Sequence, residues 1–413
     1  VERQAPGGRT RRRTARGVRG GGRAAAGLAG GRAAGLRPTR LRSRTATVLL
    51  VLLSGSALVA GCTGGPVPAP SHSSSPASGT SPGSSGSTAS PGSTAPTLRA
   101  KLDLGLDIPW SVVFLPDGTA VISERDSRLL KAVRNREART IGEVPGVVPG
   151  GEGGLLGLAL SPRFSTDRLL YYYYTAESDN RIARARLEAG AGGGFTLGQP
   201  EVVYSGIPKA STHNGGRIRF GPDGFLYVGT GDSQRREQPQ DRNALGGKIL
   251  RLTPDGGPAP GNPFGNSPVY SYGHRNVQGL AWDKDGRLWA SEFGPDVDDE
   301  LNLIRPGGNY GWPEVTGAPG REGFIDAKTV WPSTADASPS GLEIVDGVAY
   351  TAALRGQRLW TVPLDGEQAG TPVAYFTGEY GRLRDVSLAP DGTLWVLSNN
   401  RNPDFALLLR LPR

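Results

Sequence analysis

Residues 211–232 read STHNGGRIRFGPDGFLYVGTGD. Two runs suited to extended backbone, Arg217 to Phe220 and Phe225 to Thr230, flank a Gly-Pro-Asp-Gly turn. Asp-Gly between alternating strands is a strong short-range signal for a β-hairpin. The same phrase recurs along the chain: an apolar residue, a Pro/Asp/Gly turn, then a strand rich in Leu, Tyr, Trp and Val. It stands at Phe114-Leu-Pro-Asp-Gly, Phe220-Gly-Pro-Asp-Gly and Leu388-Ala-Pro-Asp-Gly. Looser versions stand at Leu160-Ser-Pro-Arg-Phe, Trp282-Asp-Lys-Asp-Gly and Ile344-Val-Asp-Gly. Six copies spaced by roughly 40 to 65 residues predict an all-β fold, a six-bladed β-propeller with about four strands per blade. A β-sandwich with similar turns is the alternative. In a propeller, loops from every blade open onto one end of a central channel, so side chains distant in sequence can meet there.

The quoted stretch also carries chemistry. His213 is one of three histidines. It precedes Asn214-Gly215-Gly216, a turn where backbone can approach a ligand closely. A hairpin of this length returns the chain to the edge it left, which brings Asp232 back beside His213. An imidazole oriented by a carboxylate is the usual make-up of a general base.

The formal charge of +9 points to nucleic acid or an anionic surface until it is located. Thirteen Arg and one Glu in residues 1–47 contribute +12, so the rest of the chain carries −3. That remainder gives no electrostatic case for nucleic acid. The basic segment runs into an apolar stretch, Val48 to Ala60, closed by Leu58-Val-Ala-Gly-Cys62. It is shorter than the roughly 20 residues that cross a bilayer and fits a secretory signal better. Small residues ahead of the only cysteine resemble the lipobox of bacterial lipoproteins, in which that cysteine is lipidated. A single cysteine also rules out an internal disulfide framework. From Thr63 to Pro96 the chain is nearly all Ser, Pro, Gly, Thr and Ala. Such a segment cannot bury enough apolar surface to offset ordering entropy, so it reads as a disordered tether. The expected organisation is a leader and lipoprotein signal peptide over 1–61, a tether over 62–97 and a propeller over 98–413. The expected location is the outer face of the cytoplasmic membrane, through a lipid on Cys62.

Further stretches read as contributors to the channel mouth. Ser271-Tyr-Gly-His-Arg275-Asn276-Val-Gln-Gly places a cation and an amide on a glycine-bounded loop. Ser291-Glu-Phe-Gly294-Pro295 follows the next strand, and Asp296, Asp298, Asp299 and Glu300 crowd four acids behind it. Such a loop can offer Ca²⁺ carboxylate and carbonyl oxygens, though its spacing is not that of an EF-hand, and a solvated acidic loop has the same composition. Gly307-Gly-Asn-Tyr310-Gly-Trp-Pro is a rigid aromatic turn of the kind that usually serves packing. In Arg382-Leu-Arg384-Asp-Val, strand alternation puts both arginines on one face, where they suit a ligand with several carboxylates or simply a solvated surface.

Taken in order, GEGGLLGLA, the His213 segment with its Gly-Asp, GHRNVQG, EFGPDVDDELN with GGNYGWP, and RLRDV before Pro-Asp-Gly resemble the PQQ-dependent soluble sugar dehydrogenases, especially the aldose sugar dehydrogenases. The resemblance runs from about Leu102 to Leu411. It implies a six-bladed propeller with PQQ and Ca²⁺ at the channel mouth. It also implies a catalytic His213 oriented by Asp232, Arg275 near the reacting quinone carbonyl, and Asn276 on the quinone. Arg355, Arg382 and Arg384 fall where the family holds the cofactor, and Glu152 falls where a glutamine lines its cavity. Gly294 and Pro295 match the carbonyls that hold the cofactor's Ca²⁺, and Glu300 and Tyr310 match a second, structural Ca²⁺ site. Thr212 stands where glucose dehydrogenases carry a substrate aspartate. The resemblance implies oxidation of an aldose to a lactone, with electrons passed to an external acceptor. A non-catalytic carbohydrate-binding propeller and a metal-dependent lactonase are the other readings of the same residues.

Overall fold

The computed structural model describes residues 95–190, 194–401 and 403–412. The leader, Cys62 and nearly all of the tether lie outside them. Regular structure begins at Thr97, one residue ahead of the expected start, and the described residues form six antiparallel sheets. Blade 1 spans Pro109–Glu143, blade 2 Leu155–Ile207, blade 3 Ile218–Tyr272, blade 4 Val277–Trp331, blade 5 Pro339–Tyr375 and blade 6 Leu383–Arg410. Five blades draw their four main strands from one continuous stretch. Blade 6 supplies only three, and the N-terminal strand Thr97–Leu106 pairs with Asp404–Arg410 to complete it. The first and last strands of the propeller thus share one sheet, which closes the ring.

All six turn phrases fall at the same place, between the first and second strand of a blade. The loosest copy, Leu160-Ser-Pro-Arg-Phe, folds into the single helical turn among the described residues, Phe164–Asp167. The remaining departures from four strands per blade are short additions: Phe195–Leu197 beside blade 2 and Gln368–Ala369 beside blade 5.

Alternation along each strand sends neighbouring side chains to opposite faces of the sheet. In Leu169–Thr175, Tyr172 and Tyr174 pack toward blade 1 with Leu130 and Val121, whereas Tyr171 and Tyr173 pack toward blade 3 with Ile218 and Leu226. The buried residues accordingly fall into six clusters, one for each junction between adjacent blades. Both faces of a blade are covered, so its second strand reads as a mainly apolar run rather than an alternating one. Burial of each large side chain contributes about 1.5–3 kcal/mol.

The inner strands line a channel that is filled halfway along. Trp110 is 1 % exposed and lies between two guanidiniums, Arg217 at 4.5 Å and Arg384 at 5.6 Å from its ring centre. Arg217 is paired with Asp385 at 2.9 Å, and the other Asp385 oxygen accepts the Val112 N–H at 2.8 Å, which ties blade 6 to blade 1. Below this layer, at the turn-phrase end, is a cavity of about 550 Å³ whose charged lining is paired, Arg217 with Asp385 within it and Arg219 through one nitrogen with both oxygens of Glu343 beyond it. Above it, where the inner strands begin, is a second cavity of about 320 Å³.

Candidate active site

The smaller cavity gathers most of the residues expected at the mouth. Glu152, His213, Arg275, Gly294, Pro295, Arg355, Arg382 and Arg384 all line it. Its size falls at the lower end of the roughly 300–1,000 Å³ range of small-molecule sites.

The hairpin between the first two strands of blade 3, Ile218–Phe220 and Leu226–Gly229, does what its length predicts. It returns the chain so that Asp232 Oδ1 lies 2.8 Å from His213 Nδ1. The approach depends on Gly231, where a Cβ would sit 1.9 Å from the His213 carbonyl oxygen. Asp232 is 1 % exposed, and its carboxylate also accepts the Gln234 N–H at 2.9 Å and Trp312 Nε1–H at 2.8 Å. Burial alone would raise its pKa, but the His213 hydrogen bond and charge, together with the Gln234 and Trp312 donors, hold it below the usual carboxylate value. The Asp232 carboxylate accepts the hydrogen bond of His213 Nδ1–H. The lone pair is then on Nε2, as a base facing the cavity requires.

Arg275 sits one blade on, half-buried. Its backbone N–H is held by the Glu292 carboxylate, and its guanidinium lies 5.3 Å from the Trp312 ring centre. Burial lowers its pKa, against the pull of Asp232, Glu292 and Glu152. Across the ring, on blade 6, Arg384 donates to Gln278 Oε1 at 2.8 Å, and burial followed by Arg125 and Arg382 pushes it down to about 9. Arg382 is lowered as well, by burial and then by Arg401 and Arg125. Arg355 is exposed on the rim and donates to Thr334 Oγ1 at 3.2 Å. Arg275 Nε and Arg384 Nε are buried without a hydrogen-bond partner. Guanidiniums left unpaired around one cavity fit an anionic ligand with several carboxylates.

Gly294 and Pro295 reach the wall between blades 4 and 5, anchored by Asp299, which accepts the Gly294 N–H at 2.9 Å and the Ser338 N–H at 2.6 Å. Burial raises Asp299 to about 6. The donors here are hard oxygens, a set that suits Ca²⁺ completed by oxygens of a bound ligand.

Several expected residues stand elsewhere. Asn276 does not line the cavity. It is fully buried behind the His213 turn, where its Oδ1 accepts the Gly215 N–H at 3.0 Å and its Nδ2 has no partner. Glu300 and Tyr310 also lie away from the cavity wall. Glu300 accepts the Gly317 N–H at 2.6 Å and Asn302 Nδ2–H at 2.9 Å, and burial with Glu292 raises it to about 8. The Tyr310 hydroxyl donates to the Leu303 carbonyl at 2.7 Å and accepts the Arg305 N–H at 2.8 Å. Tyr310 stacks at 4.6 Å on His274, which is wholly buried between Ser271 and Glu292 and is structural.

The sequence reading missed Arg125 and Arg401, which line the cavity, and the Trp312 bond to Asp232; Asp299, read there only as one of four loop acids, lines it too. Arg125 and Arg401 follow the second strands of blades 1 and 6, just as Asp232 and Arg355 follow those of blades 3 and 5. Aligning the blades on their turn phrases would have found them.

A family model described as Glucose / Sorbosone dehydrogenase matches residues 106–409. Among solved structures, the chain is similar to the PQQ-bound form of aldose sugar dehydrogenase from Streptomyces coelicolor. The two are 50 % identical with a TM-score of 0.74, over 78 % of this chain and 99 % of that one. It is 31 % identical to an aldose sugar dehydrogenase of Escherichia coli, over 73 % of this chain and 89 % of that protein. It is also 31 % identical to quinoprotein glucose dehydrogenase B of Acinetobacter calcoaceticus, over 60 % of this chain and 59 % of that protein.

Proposed function

The chain belongs to the glucose/sorbosone dehydrogenase family, and on that premise we propose that it oxidises aldose sugars to lactones using PQQ and Ca²⁺. One observation carries the reading: the His213–Asp232 pair stands on one wall of a cavity whose opposite wall, on blade 6, bears guanidiniums with no carboxylate of their own. PQQ with Ca²⁺, when bound, supplies the two-electron acceptor for the hydride leaving the sugar's C1. His213 Nε2 takes the proton of the anomeric hydroxyl, and the C1–O bond becomes the lactone carbonyl. Asp232 steadies the imidazolium that forms, and Trp312 steadies Asp232. Arg275 presents positive charge where negative charge develops during the transfer. Arg355, Arg382 and Arg384 would hold the cofactor's carboxylates, and the Gly294 and Pro295 carbonyls its Ca²⁺. The electrons then pass to an external acceptor. The basic and apolar leader ending at Cys62 supports a protein tethered by lipid to the outer face of the cytoplasmic membrane.

The test is His213→Gln, loaded with PQQ and Ca²⁺ and followed by sugar-dependent dye reduction. Loss of the base should lower kcat by about 10²- to 10⁴-fold, with cofactor affinity, read by absorbance titration, unchanged. Wild-type turnover in the fully loaded variant would defeat the assignment.

A further inference from the structure

Glu152 is a carboxylate on the wall of a cavity built for an anion, where the family resemblance leads one to expect a glutamine. Its contacts explain it. The turn before the first strand of blade 2 docks on the turn before the first strand of blade 3. Glu152 donates its N–H to the Ser211 carbonyl at 2.8 Å, and its Oε2 accepts the His213 N–H at 2.7 Å. Gly151 makes the docking possible: its φ is +59°, and a Cβ there would lie 2.1 Å from the Ser211 oxygen. His213 itself sits at φ +58°, the left-handed region that side chains other than glycine rarely adopt. A residue held in that conformation stays there only when its surroundings fix it. We propose that Glu152 is a positioning residue that pins the His213 backbone, so that the imidazole presents Nε2 to the cavity.

The proposal rests on the reading of His213 as the base. Two anchors then define that residue, Glu152 at its N–H and Asp232 at Nδ1. They come from different blades, so the base is fixed only when blades 2 and 3 are seated against each other. The carboxylate is also compatible with an anionic ligand. Arg275, Arg382 and Arg384 all lie within electrostatic reach of Glu152.

Three variants test this: Glu152→Met, which keeps length and loses the acceptor; Glu152→Ala; and Glu152→Gln, which keeps an acceptor oxygen at the same reach. Melting temperature serves as the folding control. In the loaded protein, Met and Ala should lower kcat by about 10- to 100-fold, the cost of misplacing a catalytic group by an ångström or so. The KM for sugar and the PQQ affinity should stay within about threefold, and Gln should restore kcat to within about fivefold of wild type. A second readout needs no turnover. The chain has three histidines, so ¹⁵N-histidine spectra of the unloaded protein resolve the His213 ring, which should shift in Met and Ala and stay at its wild-type position in Gln. A wild-type kcat in the Met or Ala variant overturns the proposal, and so does a loss confined to PQQ affinity. A Gln variant as impaired as Met overturns it too, because the charge rather than the acceptor would then matter. If the wild-type protein reduces no dye with any aldose, the proposed function fails instead, and the spectra still decide whether Glu152 holds His213.

Discussion

Asp232 takes three donors at once, His213 Nδ1–H, the Gln234 N–H and Trp312 Nε1–H. Its place beside the histidine was legible because a two-strand excursion has a fixed length and a fixed return. The tryptophan was not. Gly307 to Pro313 reads as a packing turn, and nothing in its composition says that the indole N–H crosses from blade 4 to a carboxylate of blade 3. Asn276 is the opposite case: the resemblance places it with Arg275 on the ligand, but its Oδ1 is turned to the Gly215 N–H and it does not line the cavity. Trp312→Phe keeps an aromatic face for Arg275 and Arg236 and removes the donor together with part of the ring. The buried oxygen left unmatched should destabilise the fold by about 1–3 kcal/mol. The loosened Asp232 should lower kcat by about tenfold, a smaller loss than that of the base itself. Chemical denaturation and steady-state rates on the loaded protein measure the two effects separately.

Strands were easier to foresee than the loops they carry. The six turn phrases all mark the first hairpin of a blade. The opposite end of blade 3 follows no such phrase. Residues 233–247 wrap the site, with Gln234 on Thr212 at 2.9 Å and Gln240 on the Trp312 carbonyl at 2.8 Å. They are held from beneath by Lys248, the first residue of the strand Lys248–Leu252, which has no exposed surface. Its Nζ donates to the carbonyls of Gln238 at 2.6 Å and Gly246 at 2.7 Å. Burial, against the pull of Asp241, pushes its pKa from 10.5 down to about 7. Between those two values the unfolded chain binds a proton that the folded chain does not, so this group makes stability rise as pH rises through the window. Lys248→Met should lack that rise and loosen the loop. Urea unfolding at pH 7, 8.5 and 10 should show wild type gaining stability while the variant stays flat.

The six-bladed ring was legible as a whole because its repeat survives in the turns even where strand sequences diverge, and because every junction is a separate cluster of large side chains. The seam was not, since no local signal says that residues 97–106 belong beside residues 404–410. That strand buries Leu102 and Leu106 and covers the edge of blade 6. A chain starting at residue 107 should lose about 3–6 kcal/mol from those two leucines and expose an unpaired edge that invites aggregation. A chain starting at residue 95 should melt as the whole protein does. Scanning calorimetry with light scattering separates the two. The Trp110 layer has its own consequence for traffic. With the bore stoppered midway, the ring is a cup and not a tube. Under the proposed function, whatever enters the site and whatever leaves it share a single lip, and each visitor has to back out before the next comes in.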